Sequence, residues 1–246
     1  MDKVLEGVSN YISINITSLF HDRCLEKLDD IQLNVILRRK NPYLFRAKNI
    51  LESHHLVGLI LDAALSSSEE TIFGNFIENV ACETSRLAYA GHKSSTVGID
   101  LEFTKDEVRY LVTIKSGPNW SNAGQIAKMK SNFMTAQKTL RTSGGYKGQV
   151  QCIEGCCYGI DDKPDKGSHF KFCGQRFWSF VSGQETFYQD IIEPLGNVAR
   201  RKTEAFQEQL AQKRNLLTQE FSERFCKNGI IDWPKLVKYN SGINKD

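Results

Sequence analysis

Two stretches near the start of the chain place apolar residues three or four positions apart. LEKLDDIQLNVILRR (25–39) and AKNILESHHLVGLILDAAL (47–65) therefore predict packing helices on either side of a break at Asn41-Pro42. His54 and His55 are adjacent, which on a helix sends them to different faces. In the following segment, SSSEETIFGNFIENVACE, Ser67 with Glu70 resembles a capping box and predicts the start of a new helix. Phe73, Phe76, Ile77 and Val80 form its apolar stripe. Glu78 lies away from the middle of that stripe.

The period then changes to two. STVGIDLEF and EVRYLVTIK read as β-strands separated by Thr104, Lys105 and Asp106, the spacing of a hairpin. Alternation puts Asp100 and Glu102 on one face of the first strand, and Arg109, Leu111, Thr113 and Lys115 on one face of the second. A turn near Asp106 brings Asp100 level with Thr113 and close to Lys115.

AGQIAKMKSNFMTAQKTLRT (123–142) returns to helical spacing, with Ile126, Met129, Phe133 and Leu140 on one stripe and Lys128, Lys130, Lys138 and Arg141 largely off it. GQVQCIEGCCYGI and HFKFCGQ are expected strands around the charged loop DDKPDKGS, and FWSFVSG begins another helix. From about Tyr188 to Cys226 the pattern is helical and rich in charge. The order predicts an α/β fold with a central mixed β-sheet flanked by helices. Its expected parts are a helical N-terminal region (1–66), a core (67–190) and a helical C-terminal region (191–246), together forming one compact domain.

Composition adds bounds. The 246 residues are 40% hydrophobic and 25% charged, ordinary for a folded chain. No run approaches the length of a membrane span, and MDKVLEGVSNYIS lacks the regions of a signal peptide, so a cytoplasmic protein with no membrane partner is expected. The 7 cysteines are odd in number and irregularly spaced, which favours reduced, buried thiols over a disulfide framework. Cys152, Cys156, His169 and Cys173 fit no common zinc spacing.

The net charge of +3 decides little, but its distribution does. No acid lies between Glu107 and Glu154, whereas Arg109, Lys115, Lys128, Lys130, Lys138, Arg141 and Lys147 all do. A one-signed segment of this length attracts polyanions, although a solvated helix face accounts for some of its lysines.

An acid at one strand end, a lysine on the next and a basic helix after them suit metal-assisted phosphodiester hydrolysis, with Mg²⁺ the natural cation for oxygen ligands. The same pair is equally readable as a surface cross-strand ion pair contributing under about 1 kcal/mol. After the second strand, Gly and Pro in SGPNWSN give a tight exit. Ser116 and Asn119 stand where phosphate or water would be met. Trp120 reads better as a core or hinge aromatic than as a base-stacking residue. Asn122, Gln125, Lys128, Lys130 and Arg141 are the candidates for DNA contact.

Gly98-Ile99-Asp100 followed by Lys115 in TIK resembles the PD-(D/E)XK nuclease signature. The longer segments NPYLFRAKN, LSSSEETIFGNFIENVA, GIDLEF, TIKSGPNWSN, the CCYG run and CGQRFW resemble the PmeII-like family of type II restriction endonucleases, from about Lys40 to Asn240. The resemblance implies a PD-(D/E)XK (restriction endonuclease-like) core with helical N- and C-terminal additions. It also implies Mg²⁺-dependent cleavage of double-stranded DNA at a short specific site, leaving 5′-phosphate ends, by a homodimer accompanied by a cognate DNA methyltransferase.

Carried over by position, Asp100 is the principal metal ligand and Lys115 the catalytic lysine. Thr113 occupies the slot of an expected acid. A second carboxylate would come from Glu78 or its rival Glu102, with the Ile114 backbone carbonyl completing the set. A catalytically degenerate DNA-binding protein on the same fold is the alternative that Thr113 raises.

Overall fold

The computed structural model describes residues 3–142, 146–197 and 199–243, with side chains for all of these except 199–203. Two compact units emerge, one formed by 1–17 with 73–198 and the other by 18–72 with 199–246. The segments expected from the pattern fall across them: 67–190 lies mostly in the first, and 1–66 and 191–246 mostly in the second.

Helices α1 (Lys3–Ile16), α2 (Asp22–Asp29), α3 (Leu33–Arg38) and α4 (Pro42–Ala47) precede one long helix, α5 (Ser53–Tyr89). The break at Asn41-Pro42 is a helix start, since the Asn41 side chain accepts from the Tyr43 N–H and Pro42 opens α4. The expected start at Ser67 is not there, because α5 runs through it unbroken. Ser68 Oγ donates to the Ala64 carbonyl and Thr71 Oγ1 to that of Ser67, both at 3.0 Å, so these hydroxyls bond back along the helix instead of capping one.

In the first unit, β1 (His92–Lys93), β2 (Leu101–Lys105), β3 (Val108–Lys115), β4 (Gln149–Cys156) and β5 (Phe170–Cys173) form a five-stranded sheet in chain order. Pairing is antiparallel from β1 to β3 and parallel from β3 to β5. The sheet is therefore mixed, as expected. The β2–β3 hairpin turns at Asp106 and Glu107, near Asp106 as expected, although Thr104 and Lys105 belong to β2 instead of the connection; both turn residues have positive φ, 49° and 62°. That is the backbone of a two-residue turn matched to strand twist.

Helix α6 (Ala123–Thr142) covers one sheet face, packing Met129, Phe133 and Ala136 on Ile99, Leu111 and Cys152. Ile126, expected on this stripe, is exposed, since the buried positions begin at Met129. On the other face, Phe103 stacks on Tyr89 of α5 and meets Phe180 of α7 (Gln175–Ser182). Gly155 lets α7 approach closely: a Cβ there would lie 2.3 Å from the Phe177 ring. Helices α8 (Phe187–Asp190) and α9 (Ile192–Gly196) complete the unit.

The second unit buries Leu28, Leu33, Leu56, Leu61 and Phe221 in a mainly helical core. Helix α10 (Ala199–Phe225), a short hairpin of β6 (Cys226–Lys227) and β7 (Ile230–Ile231) that the pattern did not announce, and α11 (Trp233–Ser241) belong to it. Asn240 ties α11 to the preceding helices by donating to the Leu37 and Lys40 carbonyls.

Candidate active site

Asp100 stands immediately before β2, where its N–H donates to the Val112 carbonyl at 2.9 Å. That bond extends the ladder by one residue and sets Asp100 level with Thr113. Its Oδ2 accepts from the Ile114 N–H at 2.7 Å and from Thr113 Oγ1 at 3.1 Å, with Lys115 Nζ 3.8 Å away. These contacts all fall on one carboxylate oxygen. The Lys115 ammonium also donates to the Ile114 carbonyl at 2.8 Å and lies 5.3 Å from the centre of the Trp120 ring. Thr113 is 3% exposed, so its hydroxyl is a buried donor to Asp100 and not a ligand of like charge.

Glu78 reaches the same place from α5. One stripe of that helix carries Gly74, Glu78 and Cys82, four residues apart in each step. At one end a Cβ on Gly74 would lie 3.5 Å from that of Ser116, and at the other Cys82 Sγ is 3.9 Å from the Asp100 carbonyl oxygen. Glu78 is half-buried between them. Burial raises its carboxyl above the usual range, and the negative charge of Asp100 raises it further, against the opposing pull of Lys115 and Lys93.

Glu102 shares the strand face of Asp100 but is engaged elsewhere. Ser94 Oγ donates to its Oε1 at 2.5 Å and Arg109 Nη2 to its Oε2 at 2.7 Å. Burial works against ionisation, yet these two bonds hold the carboxyl below its ordinary value.

Asp100, Thr113 and Lys115 line a cleft of about 220 Å³ with Gly98, Trp120, Gln125, Lys128, Met129 and Asn132. Gln125 and Lys128 are thus brought to the site. Lys130 and Arg141 lie elsewhere on α6, Arg141 at its C-terminal end. Asn119 and Asn122 are exposed on the loop between β3 and α6. Asn122 and Gln125 bond reciprocally at the start of the helix, each backbone N–H donating to the other's side-chain oxygen. The Ser116 carbonyl accepts from the Tyr158 N–H at 3.1 Å.

The polar row extends further than the hairpin. Parallel register places Glu154 beside Thr113 and Lys171 beside Glu154. Glu154 Oε1 accepts from Trp120 Nε1 at 2.8 Å and pairs with Lys171 Nζ at 2.9 Å, while Oε2 lies 3.1 Å from His169 Nε2. Burial works to raise this carboxyl, but the bonds from His169, Trp120 and Lys171 overrule it and hold it at about 2. Sequence reasoning missed Glu154, Lys171 and Lys93, and considered His169 only for zinc. The one signal was that Glu154 ends the acid-free stretch. The seven cysteines are free thiols, and burial pushes Cys82 up to about 12 and Cys152 to about 11.

Among the described residues no group of three or more His, Cys, Asp or Glu side chains is placed to hold a metal ion. The donors in this neighbourhood are nonetheless hard oxygens: the Asp100 carboxylate in the cleft, the Ile114 carbonyl that Lys115 bonds, and the Glu78 carboxylate in electrostatic reach of both charged groups. Mg²⁺ commonly takes one or two carboxylates, keeping waters and substrate phosphate for the rest. The mutual repulsion of Asp100 and Glu78 is what a divalent cation relieves, so the donor set fits Mg²⁺.

Among the described residues no helix is long and apolar enough to cross a membrane. A comparison with curated proteins finds no match. The family model for type II restriction endonuclease EcoO109I matches residues 6–203. That span holds the whole sheet, both flanking helical layers and the cleft, and the fold is of the PD-(D/E)XK kind. By that match the chain belongs to the EcoO109I family of type II restriction endonucleases, nucleases that act on DNA.

Proposed function

We propose that the protein hydrolyses both strands of double-stranded DNA at a short specific site, requires Mg²⁺ and leaves 5′-phosphate ends. The observation that carries this reading is the cleft lined by Asp100, Thr113 and Lys115 beside Gln125 and Lys128 of the basic helix α6, with Glu78 of α5 in electrostatic reach of Asp100 and Lys115. The narrower PmeII-like affiliation rests on the quoted sequence segments alone.

Asp100, Glu78 and the Ile114 carbonyl would hold Mg²⁺. When bound, the cation polarises the scissile phosphate and acidifies the attacking water. Lys115 orients that water and balances the negative charge that grows on the phosphate. Thr113 and the Ile114 N–H fix the Asp100 carboxylate through Oδ2. Glu78 is preferred to Glu102 as second carboxylate because Arg109 already neutralises Glu102 and Ser94 donates to its other oxygen. Gln125 and Lys128 face the substrate from α6, with Ser116, Asn119, Asn122, Lys130 and Arg141 as further DNA contacts. A homodimer in the cytoplasm, beside a methyltransferase that protects the host's own sites, fits cleavage of a palindrome.

Incubating purified protein with plasmid DNA and Mg²⁺ should give discrete fragments whose ends ligate without added kinase. A smear of random products would count against site specificity. A gel shift with no cleavage in Mg²⁺ or Mn²⁺ would support the degenerate binding protein instead.

A further inference from the structure

We infer that the buried Glu154–Lys171 pair is a clamp that positions Lys115 through Trp120, which makes Glu154 and Lys171 positioning residues of the cleft. The inference rests on the reading of Lys115 as the catalytic lysine, but its geometry stands apart from that reading.

The loop from Ser116 to Trp120 leaves the end of β3 and must return the chain to α6. It is held at two points by one ion pair. Glu154 Oε1 accepts from Trp120 Nε1 at 2.8 Å, and Lys171 Nζ donates to the Pro118 carbonyl at 2.9 Å while pairing with the same Oε1 at 2.9 Å. His169 occupies the other oxygen. Glu154 is 5% exposed, and a carboxylate so placed stays ionised only because its donors are fixed.

The indole has one polar atom, and the bond from Nε1 fixes how the ring lies. The other side of the relationship is Lys115, whose ammonium sits 5.3 Å from the ring centroid. A flexible lysine has many rotamers, and a cation–π contact on a ring that cannot rotate selects among them. The buried pair on β4 and β5 thus fixes one wall of the space in which the ammonium stands on β3, beside the Ile114 carbonyl it bonds directly, without touching it.

The test uses the full-length protein in three variants: Glu154→Gln, Trp120→Phe and Trp120→Leu. Trp120→Phe keeps a ring against the Met129–Phe133 cluster but loses the donor, so it still tests the clamp should Glu154→Gln fail to fold. Two quantities are read: the single-turnover cleavage rate at saturating DNA, and the chemical shift of the Lys115 Hε protons, which the Trp120 ring displaces upfield. The expected result is a loss of about 10- to 100-fold in rate in all three variants, with the Lys115 shift in Trp120→Phe and Glu154→Gln falling towards the ring-free value that Trp120→Leu sets.

Retention of both the rate and the Lys115 shift in Trp120→Phe and in folded Glu154→Gln would overturn the clamp. A wild-type protein that never cuts DNA, but whose Lys115 shift still depends on Glu154 and Trp120, would sink the nuclease reading and leave the clamp standing.

Discussion

Thr113 Oγ1 donates to Asp100 Oδ2 across 3.1 Å, from the strand position where an acid would otherwise lie beside it. The hydroxyl supports the carboxylate where a second charge would repel it. Thr113→Val keeps the shape and removes the donor. It should cost about 1 kcal/mol of stability and lower the cleavage rate about tenfold, with the Mg²⁺ requirement raised, as measured by urea unfolding and a metal titration of cleavage.

Lys115→Ala removes the cation that lies 3.8 Å from Asp100 Oδ2. The expected loss in cleavage is at least about 10²-fold, the scale of a lost electrostatic stabiliser, while binding in the absence of metal stays within a few-fold. Fluorescence anisotropy with labelled duplex and a cleavage time course separate the two effects.

Glu78 supplies a pH dependence with a definite sign. Its carboxyl keeps a proton above the usual glutamate range, because burial and Asp100 oppose its charge. A cation must displace that proton, so the Mg²⁺ concentration for half-maximal cleavage should fall as pH rises through the raised pKa and then level off. The same shift makes the metal-free protein lose stability as pH rises from the unfolded-state value through the raised one. Glu78→Gln should flatten both curves.

Glu154 behaves oppositely. Its carboxyl is lowered from 4.5 to about 2, so its contribution is fully present above 4.5 and disappears as pH falls towards 2. That contribution is on the order of 3 kcal/mol. Glu154→Gln should cost about 3 to 5 kcal/mol at neutral pH by stranding Lys171. It should also remove this acid window from a series of thermal melts.

Gly98 combines φ of +80° with a site where a Cβ would lie 1.9 Å from Asn132 Nδ2. Gly98→Ala should destabilise by about 1 to 3 kcal/mol. Because Asp100 is two residues on, the substitution should also slow cleavage; melting temperature and rate together check it.

The limits of α6 were readable because Met129 and Phe133 repeat at helical spacing between a Gly-Pro-Asn turn and a Ser-Gly-Gly run. The meeting of Asp100 with Thr113 was readable for a related reason: a hairpin is local, and its short turn fixes the register. The long helix α5 was not, since Ser66, Ser67 and Ser68 look like a cap until one sees Ser68 bonded back to Ala64. Glu154 and Lys171 stayed hidden because their level on the sheet depends on parallel pairing across α6 and the loop at 157–169. Non-local register of that kind leaves no periodic trace. Glu102 stood as the rival of Glu78 in the sequence, and only the structure shows that Arg109 claims it.

The row from Asp100 through Thr113 and Glu154 to Lys171 also bears on how the chain avoids folding wrongly. Side chains alternate faces, so a slip of β4 by one residue would turn the Glu154 carboxylate towards the aromatic layer of α7 and put the bulk of a neighbouring side chain where Gly155 now clears Phe177. Lys171 and Trp120 would lose their acceptor at the same moment. The polar groups at the centre of the sheet therefore act as a key for strand alignment, penalising the nearest mispaired sheets more heavily than an all-apolar row would.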